Sequence, residues 1–281
     1  MKIGIITIAT GGYVDYVESL IDSCDLNLLN GHDKSYFIFT DGGFTSSIQN
    51  VHRIKQKKLG WPFDTMMRFH MFTSIRKQLE EMDYIFFLNA NMLIIEKVGD
   101  EILPNEHNQW LVATKHPGYI DKHPYYMPFE KNAGSVFFTA VSDKSFYVQG
   151  CFNGGRSKEY LEMSEILKNM IDTDIKNNVI PIWHDESALN WYLNDKNPLR
   201  LDPTYSYPKH CLKHEMEKLI SDYPEIYNAK LGSEFSDQIS AALGRYLDPY
   251  ARILEKYGDA KIIQRDKMMM GGHDKLRGNF K

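Results

Sequence analysis

Short apolar runs alternate with longer stretches of helical periodicity from the amino terminus to about residue 200, without internal repeats or low-complexity tracts. That alternation predicts an α/β domain. Ile3 to Ile8 and Tyr36 to Phe39 read as strands. The first leads through Ala9-Thr10-Gly11-Gly12 into a helix from about Val14, and the second ends in Thr40-Asp41-Gly42-Gly43. Tyr84 to Leu88 is a third apolar run, suited to a strand buried on both faces of a parallel sheet. Before it, Phe72, Ile75, Leu79 and Met82 recur at helical spacing while Glu80 and Glu81 face away, which predicts a helix packed on the sheet. Tyr160, Met163, Leu167, Met170 and Ile171 mark one side of a helix over Lys158 to Asn177. Asp185 is placed to cap another, from Glu186 to about Leu193. Phe235, Ile239, Leu243 and Tyr246 repeat at helical spacing, and Pro249 interrupts before Tyr250, Ile253, Leu254 and Tyr257. Residues 209–258 therefore read as a helical insertion that extends the core, covers a binding face or forms an oligomer contact.

The chain has 281 residues, 43% of them hydrophobic and 13% aromatic, enough for one α/β domain of enzyme size over residues 1–281. A net charge of −4 gives no reason to expect a nucleic-acid surface. The 3 cysteines, Cys24, Cys151 and Cys211, are odd in number and share no metal-like spacing, which argues against a disulfide framework and a zinc site. The opening segment Met1-Lys2-Ile3-Gly4-Ile5-Ile6-Thr7-Ile8 is too short for a signal peptide's apolar core and too interrupted for a transmembrane segment. A reducing, cytoplasmic setting is the expectation.

Candidate chemistry begins at Phe86-Phe87-Leu88-Asn89-Ala90-Asn91-Met92. In open α/β sheets ligands bind at the carboxyl ends of strands, and an Asp-x-Asp there would hold a divalent cation against a diphosphate. Asn89 and Asn91 are neutral and lack the charge to do so. The motif predicts chemistry without a metal. It also reads simply as an Asn-rich turn.

Trp183-His184-Asp185-Glu186-Ser187, His116-Pro117-Gly118-Tyr119 and the strand ending Asn89-Ala90-Asn91, in that combination and spacing, resemble glycosyltransferase family 6. That family includes the mammalian ABO blood-group transferases, and the likeness is to its bacterial branch with Asn-x-Asn. It runs from the first strand to about Tyr207 and resumes near Ile262. The resemblance implies a GT-A fold, a single Rossmann-like domain with a mostly parallel sheet and flanking helices. It also implies retaining α1,3 transfer of galactose or N-acetylgalactosamine from UDP-Gal or UDP-GalNAc to an oligosaccharide acceptor, usually a β-galactoside and often fucosylated. No metal cofactor is expected.

Carried over by the same resemblance, Ile8, Ala9 and Tyr13 fall where the family holds uracil and ribose, and Arg68 stands beside the nucleotide. Asn89 and Asn91 would hydrogen-bond ribose and phosphate oxygens. Lys267 and Arg277, around Gly271-Gly272, resemble a basic C-terminal lid over residues 262–281, supplying the charge a metal would give. An ordinary frayed basic terminus is the competing reading. Glu186 matches the glutamate beneath the anomeric carbon, where it would attack to form a glycosyl-enzyme or stabilise an oxocarbenium-like transition state. Next to it, His184 and Asp185 would face the donor, Trp183 would stack on an acceptor ring, and Glu186 would also orient the acceptor. With no third ligand in sequence reach, His184 and Glu186 do not make a metal site.

Tyr147 to Gly155 resembles the loop that chooses the donor sugar, with Gln149, Gly150 and Cys151 at the selecting positions. Cysteine is bulkier than the family's glycine or alanine, a steric argument that favours galactose. His116 matches the residue that contacts the acceptor galactose, but Pro128 and Pro208 replace polar acceptor contacts, so the acceptor departs from blood-group H. A catalytically silent sugar-nucleotide or glycan-binding protein on the same fold is the rival to the transferase. The pairing of Glu186 with a basic tail favours the enzyme.

Overall fold

In a computed structural model, residues 1–209, 250 and 252–265 are described. The chain opens with β1 (Lys2–Ala9), a single 3-10 segment over Gly11–Tyr16, α1 (Val17–Asn27), β2 (Asp33–Thr40) and β3 (Val51–Lys55). Three short helices follow, α2 (Phe63–Met66), α3 (Arg68–Ser74) and α4 (Arg76–Leu79), then β4 (Tyr84–Leu88), β5 (Met92–Ile94) and β6 (Leu111–Lys115). The rest comprises β7 (Val148–Arg156), α5 (Ser157–Lys176), α6 (Asp185–Asn194), β8 (Leu199–Leu201), β9 (Tyr207–Pro208) and β10 (Ile262–Gln264).

Seven strands form one sheet in the order β3-β2-β1-β4-β7-β6-β8, parallel except at the two ladders of β7. Its apolar runs are buried on both faces. Ile5, Phe86 and Leu88 meet α1 in one core, while Ile6, Ile85 and Phe87 meet α3, α5 and α6 in the other. Such two-sided burial is why Tyr84 to Leu88 reads as an unbroken apolar run. The side of α5 marked by Tyr160, Met163, Leu167 and Ile171 is buried as its spacing predicts. A second sheet, β5-β10-β9, sits beside the first.

Three expectations require correction. The helix predicted through Phe72, Ile75, Leu79 and Met82 is broken, because α3 ends where the Thr73 and Ser74 hydroxyls bond back to the carbonyls of His70 and Met71 at 3.1 and 2.6 Å. Asp185 does not cap α6; His184 is the N-cap, and Asp185 turns to Arg68 instead. The segment Tyr147 to Gly155, read as a loop, forms all of β7 but its last residue, Arg156. Its glycines permit close pairing rather than a turn, since a Cβ at Gly154 would stand 2.4 Å from the Ile85 carbonyl oxygen, and one at Gly155 2.4 Å from that of Trp110.

β7 also bulges. Against β6 its partners jump from Asn153, opposite Ala113, to Gln149, opposite Thr114, leaving Gly150, Cys151 and Phe152 without a β6 partner. Of the helical insertion, residues 252–257 are helical, and Ile253 packs with Tyr207, Ala260 and Ile263 in a small core. Phe235, Ile239, Leu243 and Tyr246, and the tail residues Lys267 and Arg277, lie outside the described residues. Among the described residues no helix is long and apolar enough to cross a membrane.

Candidate active site

A cavity opens at the carboxyl ends of β1 and β4, where Ile8, Tyr13, Trp61, Arg68, Asn89 and Ala90 line it. This is the edge at which open α/β sheets bind ligands. Arg68 starts α3 and is buried, with its guanidinium 4.1 Å from the Phe87 ring centroid. Its Nη1 donates to the Gly150 carbonyl at 2.6 Å and its Nη2 pairs with Asp185 Oδ2 at 2.9 Å. Burial pushes the Asp185 carboxyl up, and Arg68 pulls part of that back. The Nε of Arg68 is buried with no partner among the described residues, an unsatisfied donor bordering the cavity.

The bulge in β7 frees the Gly150 backbone from the ladder and aims it at two side chains. Its carbonyl takes the Arg68 bond, and its N–H donates to Glu186 Oε2 at 2.7 Å. Tyr147 donates its hydroxyl to Glu186 Oε1 at 2.9 Å. Each carboxylate oxygen therefore has a donor, which fixes the plane of the group. Burial still dominates and pushes the Glu186 carboxyl up to about 7, against the opposing pull of these bonds. A Cβ at Gly150 would stand 3.1 Å from Asp185 Oδ2, a tight contact that a larger residue could make only by displacing the Asp185 carboxylate. Asn190 locks α6 onto β7 through the Val148 backbone, accepting from its N–H at 2.8 Å and donating to its carbonyl at 2.9 Å.

Two residues before Glu186, His184 has φ 54° and ψ −118°, a conformation costly for a residue with a Cβ. Its ring meets Trp61 edge-on at 4.2 Å. Trp183 is 46% exposed. Glu130 steadies this approach by accepting the Ile182 N–H at 2.6 Å.

On the other side of Glu186 lies an aromatic group. Tyr147 packs 5.2 Å from Phe129, 5.6 Å from Tyr119 and 6.0 Å from His116. His116 Nδ1 accepts the Gly118 N–H at 3.0 Å, and burial depresses the imidazole to about 4. The ring is neutral at pH 7 and carries its proton on Nε2.

The structure thus brings Ile8, Tyr13, Arg68 and Asn89 to one cavity, and Gly150, Asp185 and Glu186 to its neighbour Arg68. Other candidate residues are placed differently. Ala9 is fully buried in the core, because alternation along β1 points it away from Ile8. Cys151 is likewise in the core, with burial pushing its thiol up to about 12, and it offers only its carbonyl, which accepts the Asn89 N–H at 2.9 Å. Gln149 accepts from Gln264 Nε2 at 2.9 Å. Asn91 is buried and donates its Nδ2 to the Arg265 carbonyl at 3.0 Å, away from a ligand role. Of the two carboxamides in this motif, Asn89 alone is among the residues that line the cavity. Among the described residues no cluster of three His, Cys, Asp or Glu could hold a metal ion elsewhere.

Four participants escape the sequence reading: Lys58 and Trp61 on the cavity wall, Tyr147 behind Glu186, and Arg265. Gly60-Trp61-Pro62 is a visible signal, a large aromatic set in a turn. Tyr147 and Arg265 lie inside the segments 147–155 and 262–281 singled out above but have no role assigned there, and nothing local marks Lys58.

The sequence model described as glycosyltransferase family 6 matches residues 1–222. The chain is similar to the O-antigen biosynthesis glycosyltransferase WbnI of Escherichia coli, 32% identical over 222 residues, which is 78% of this chain and 94% of that protein. It is also similar to globoside alpha-1,3-N-acetylgalactosaminyltransferase 1 of Gallus gallus, 27% identical over 216 residues, 73% of this chain and 61% of that one. Histo-blood group ABO system transferase 1 of Rattus norvegicus is 27% identical over 222 residues, 75% of this chain and 62% of that one. The two animal proteins are thus matched over less than two thirds of their length. With a mixed α/β sheet of GT-A type and a family match over most of its length, the chain belongs to glycosyltransferase family 6 and is a glycosyltransferase.

Proposed function

We propose that the protein is a retaining α1,3-hexosyltransferase that moves galactose or N-acetylgalactosamine from a uridine diphosphate donor to a β-galactoside, plain or fucosylated, without a divalent metal. The observation that carries this reading is the Glu186 carboxylate, fixed by Tyr147 and by the Gly150 N–H at a bulge whose carbonyl Arg68 grips. The likeness to two animal proteins, a globoside α1,3-N-acetylgalactosaminyltransferase and a histo-blood group transferase, supports it.

In this reading the bond from the anomeric carbon to the diphosphate breaks, the acceptor oxygen bonds to that carbon on the same face, and the proton of the acceptor hydroxyl passes to the leaving diphosphate. Ionised Glu186 either attacks that carbon or stabilises its developing positive charge. Tyr13 stacks on the uracil, and Asn89 offers hydrogen bonds to ribose and phosphate oxygens. Neutral His116 donates from Nε2 to an acceptor hydroxyl, and Trp183 stacks on an acceptor ring. Lys267 and Arg277 remain candidates for the charge opposite the leaving diphosphate.

Donor choice stays open between the two sugars, because the bulk of Cys151 lies in the core rather than at the cavity. A reducing, cytoplasmic setting is part of the proposal, in keeping with Cys24 and Cys151 as buried free thiols. The test is transfer from UDP-galactose and UDP-N-acetylgalactosamine to lactose and 2′-fucosyllactose, in excess EDTA and with manganese. Transfer that survives EDTA supports the metal-free reading and identifies the sugar. Loss in EDTA with rescue by manganese overturns that part, and a β-linked product by NMR overturns retention.

A further inference from the structure

Arg265 and Asn91 hold each other across the fold. The Arg265 N–H donates to the Asn91 carbonyl at 2.8 Å, and Asn91 Nδ2 donates to the Arg265 carbonyl at 3.0 Å. The guanidinium then fills a cup of backbone oxygens. Its Nη2 donates to Tyr16 at 2.9 Å, Ala90 at 3.1 Å and Met92 at 3.3 Å, Nε reaches the Asn91 carbonyl at 3.3 Å, and Nη1 meets the Ser19 hydroxyl. Three of those carbonyls, of Ala90, Asn91 and Met92, are consecutive and directly follow Asn89.

Two further contacts tie this cluster to the donor cavity. Ala90 lines the cavity itself, and the guanidinium lies 4.5 Å from the ring centroid of Tyr16, which stands 6.3 Å from the cavity residue Tyr13. Among the described residues the hydrogen-bond acceptors of the Arg265 guanidinium are all neutral oxygens, so they orient its charge without cancelling it. Burial lowers its pKa only to about 10, which leaves it cationic at pH 7.

We infer that Arg265 is a positioning residue of the donor site, its guanidinium fixing the Asn-Ala-Asn turn and setting a permanent positive charge behind it, with Asn91 as its anchor rather than a donor ligand. The inference rests on the donor reading above. It also explains the amide at position 91 without reference to metal. An aspartate there has no N–H for the Arg265 carbonyl and would face it with lone pairs, leaving a buried acceptor unsatisfied. In a partly dehydrated site a fixed cation acts on a diphosphate more strongly than it would in water, and it needs no reorganisation when the leaving group departs.

The experiment is calorimetric binding of UDP and of uridine to the full chain, with hydrogen exchange over Ile262–Gln264 read alongside. Arg265→Gln should weaken UDP about tenfold and uridine less than about twofold, the size expected for one lost interaction with a charged group. Arg265→Lys, which keeps the charge and loses the fork, should keep the preference for UDP within about threefold of wild type. Asn91→Asp should speed exchange over Ile262–Gln264, and Asn89→Asp should not. If Arg265→Gln does not fold, the Arg265→Lys and Asn91→Asp arms carry the test. Equal losses of UDP and uridine, or unchanged binding, would overturn the charge role. Unchanged exchange in Asn91→Asp would overturn the anchor. Wild-type protein that binds neither compound would sink the donor reading itself, whereas wild-type binding with indifferent variants sinks this inference alone.

Discussion

The hydroxyl of Tyr147 donates to the Glu186 carboxylate at 2.9 Å, while its ring packs 5.2 Å from Phe129. One side chain thus joins the aromatic group around His116 to the carboxylate. Tyr147→Phe keeps the packing and deletes the bond. A hydrogen bond to a charged group is worth about 1.5–3 kcal/mol, so kcat should fall roughly tenfold or more while UDP affinity holds. Because the bond favours the ionised form, its loss should also move the pH midpoint of activity above that of wild type. A pH–rate profile identical to wild type would remove Tyr147 from the mechanism.

Glu186 itself sets a pH dependence. With its carboxyl pushed up to about 7, the ionised form used in either mechanism accumulates as pH rises, so kcat/KM should climb through about pH 7. Stability carries the opposite sign, because the folded state holds this proton more tightly than the unfolded chain. The contribution is complete below the ordinary value of 4.5 and is lost as pH rises through about 7. Glu186→Gln should flatten that loss and reduce kcat by at least about 10²-fold, with UDP binding little changed. Turnover near wild type would exclude Glu186 from the chemistry.

Arg68 and Asp185 form a buried pair at 2.9 Å, with side chains 6% and 8% exposed. Removing one partner strands the other charge. Arg68→Ala should cost about 3–5 kcal/mol in denaturant unfolding, and adding Asp185→Ala should return part of it. Strict additivity in that double-mutant cycle would show that the pair is not coupled.

Restoring carboxylates at the strand end should not restore a metal. Asn89→Asp with Asn91→Asp adds negative charge beside the diphosphate and breaks the bond to the Arg265 carbonyl. Donor KM should rise, and manganese should not rescue it. Activation by manganese in this double variant would show that the site retains a usable metal geometry.

Gly154→Ala tests the packing of β7. The new Cβ would stand 2.4 Å from the Ile85 carbonyl oxygen, in the middle of the sheet. A loss of roughly 3 kcal/mol or more is expected from overpacking, measured by thermal or denaturant unfolding. A variant as stable as wild type would mean that β4 and β7 separate without strain.

Strands β1, β2 and β4 were legible because a strand covered on both faces is written as a continuous apolar run, and α5 because its period matches one buried face. β7 was hidden by its own requirement. Gly154 and Gly155 are local signs of a turn, and only the distances to neighbouring strands show that they are there for close approach. Glu186, Arg68 and Tyr13 were reached through the family resemblance, whereas the burial of Ala9 and Cys151 depends on strand direction and on the bulge. The Asn91–Arg265 contact joins positions 174 apart, which no periodicity can reveal.

The hydrogen bond between Gln149 and Gln264 has a consequence for anyone exchanging parts among relatives. A segment grafted onto β7 to alter sugar preference would arrive without its partner on β10, whose same amide also holds the Ser206 carbonyl at 2.8 Å. Chimeras should therefore move the two strands together, treating residues far apart in the gene as one cassette.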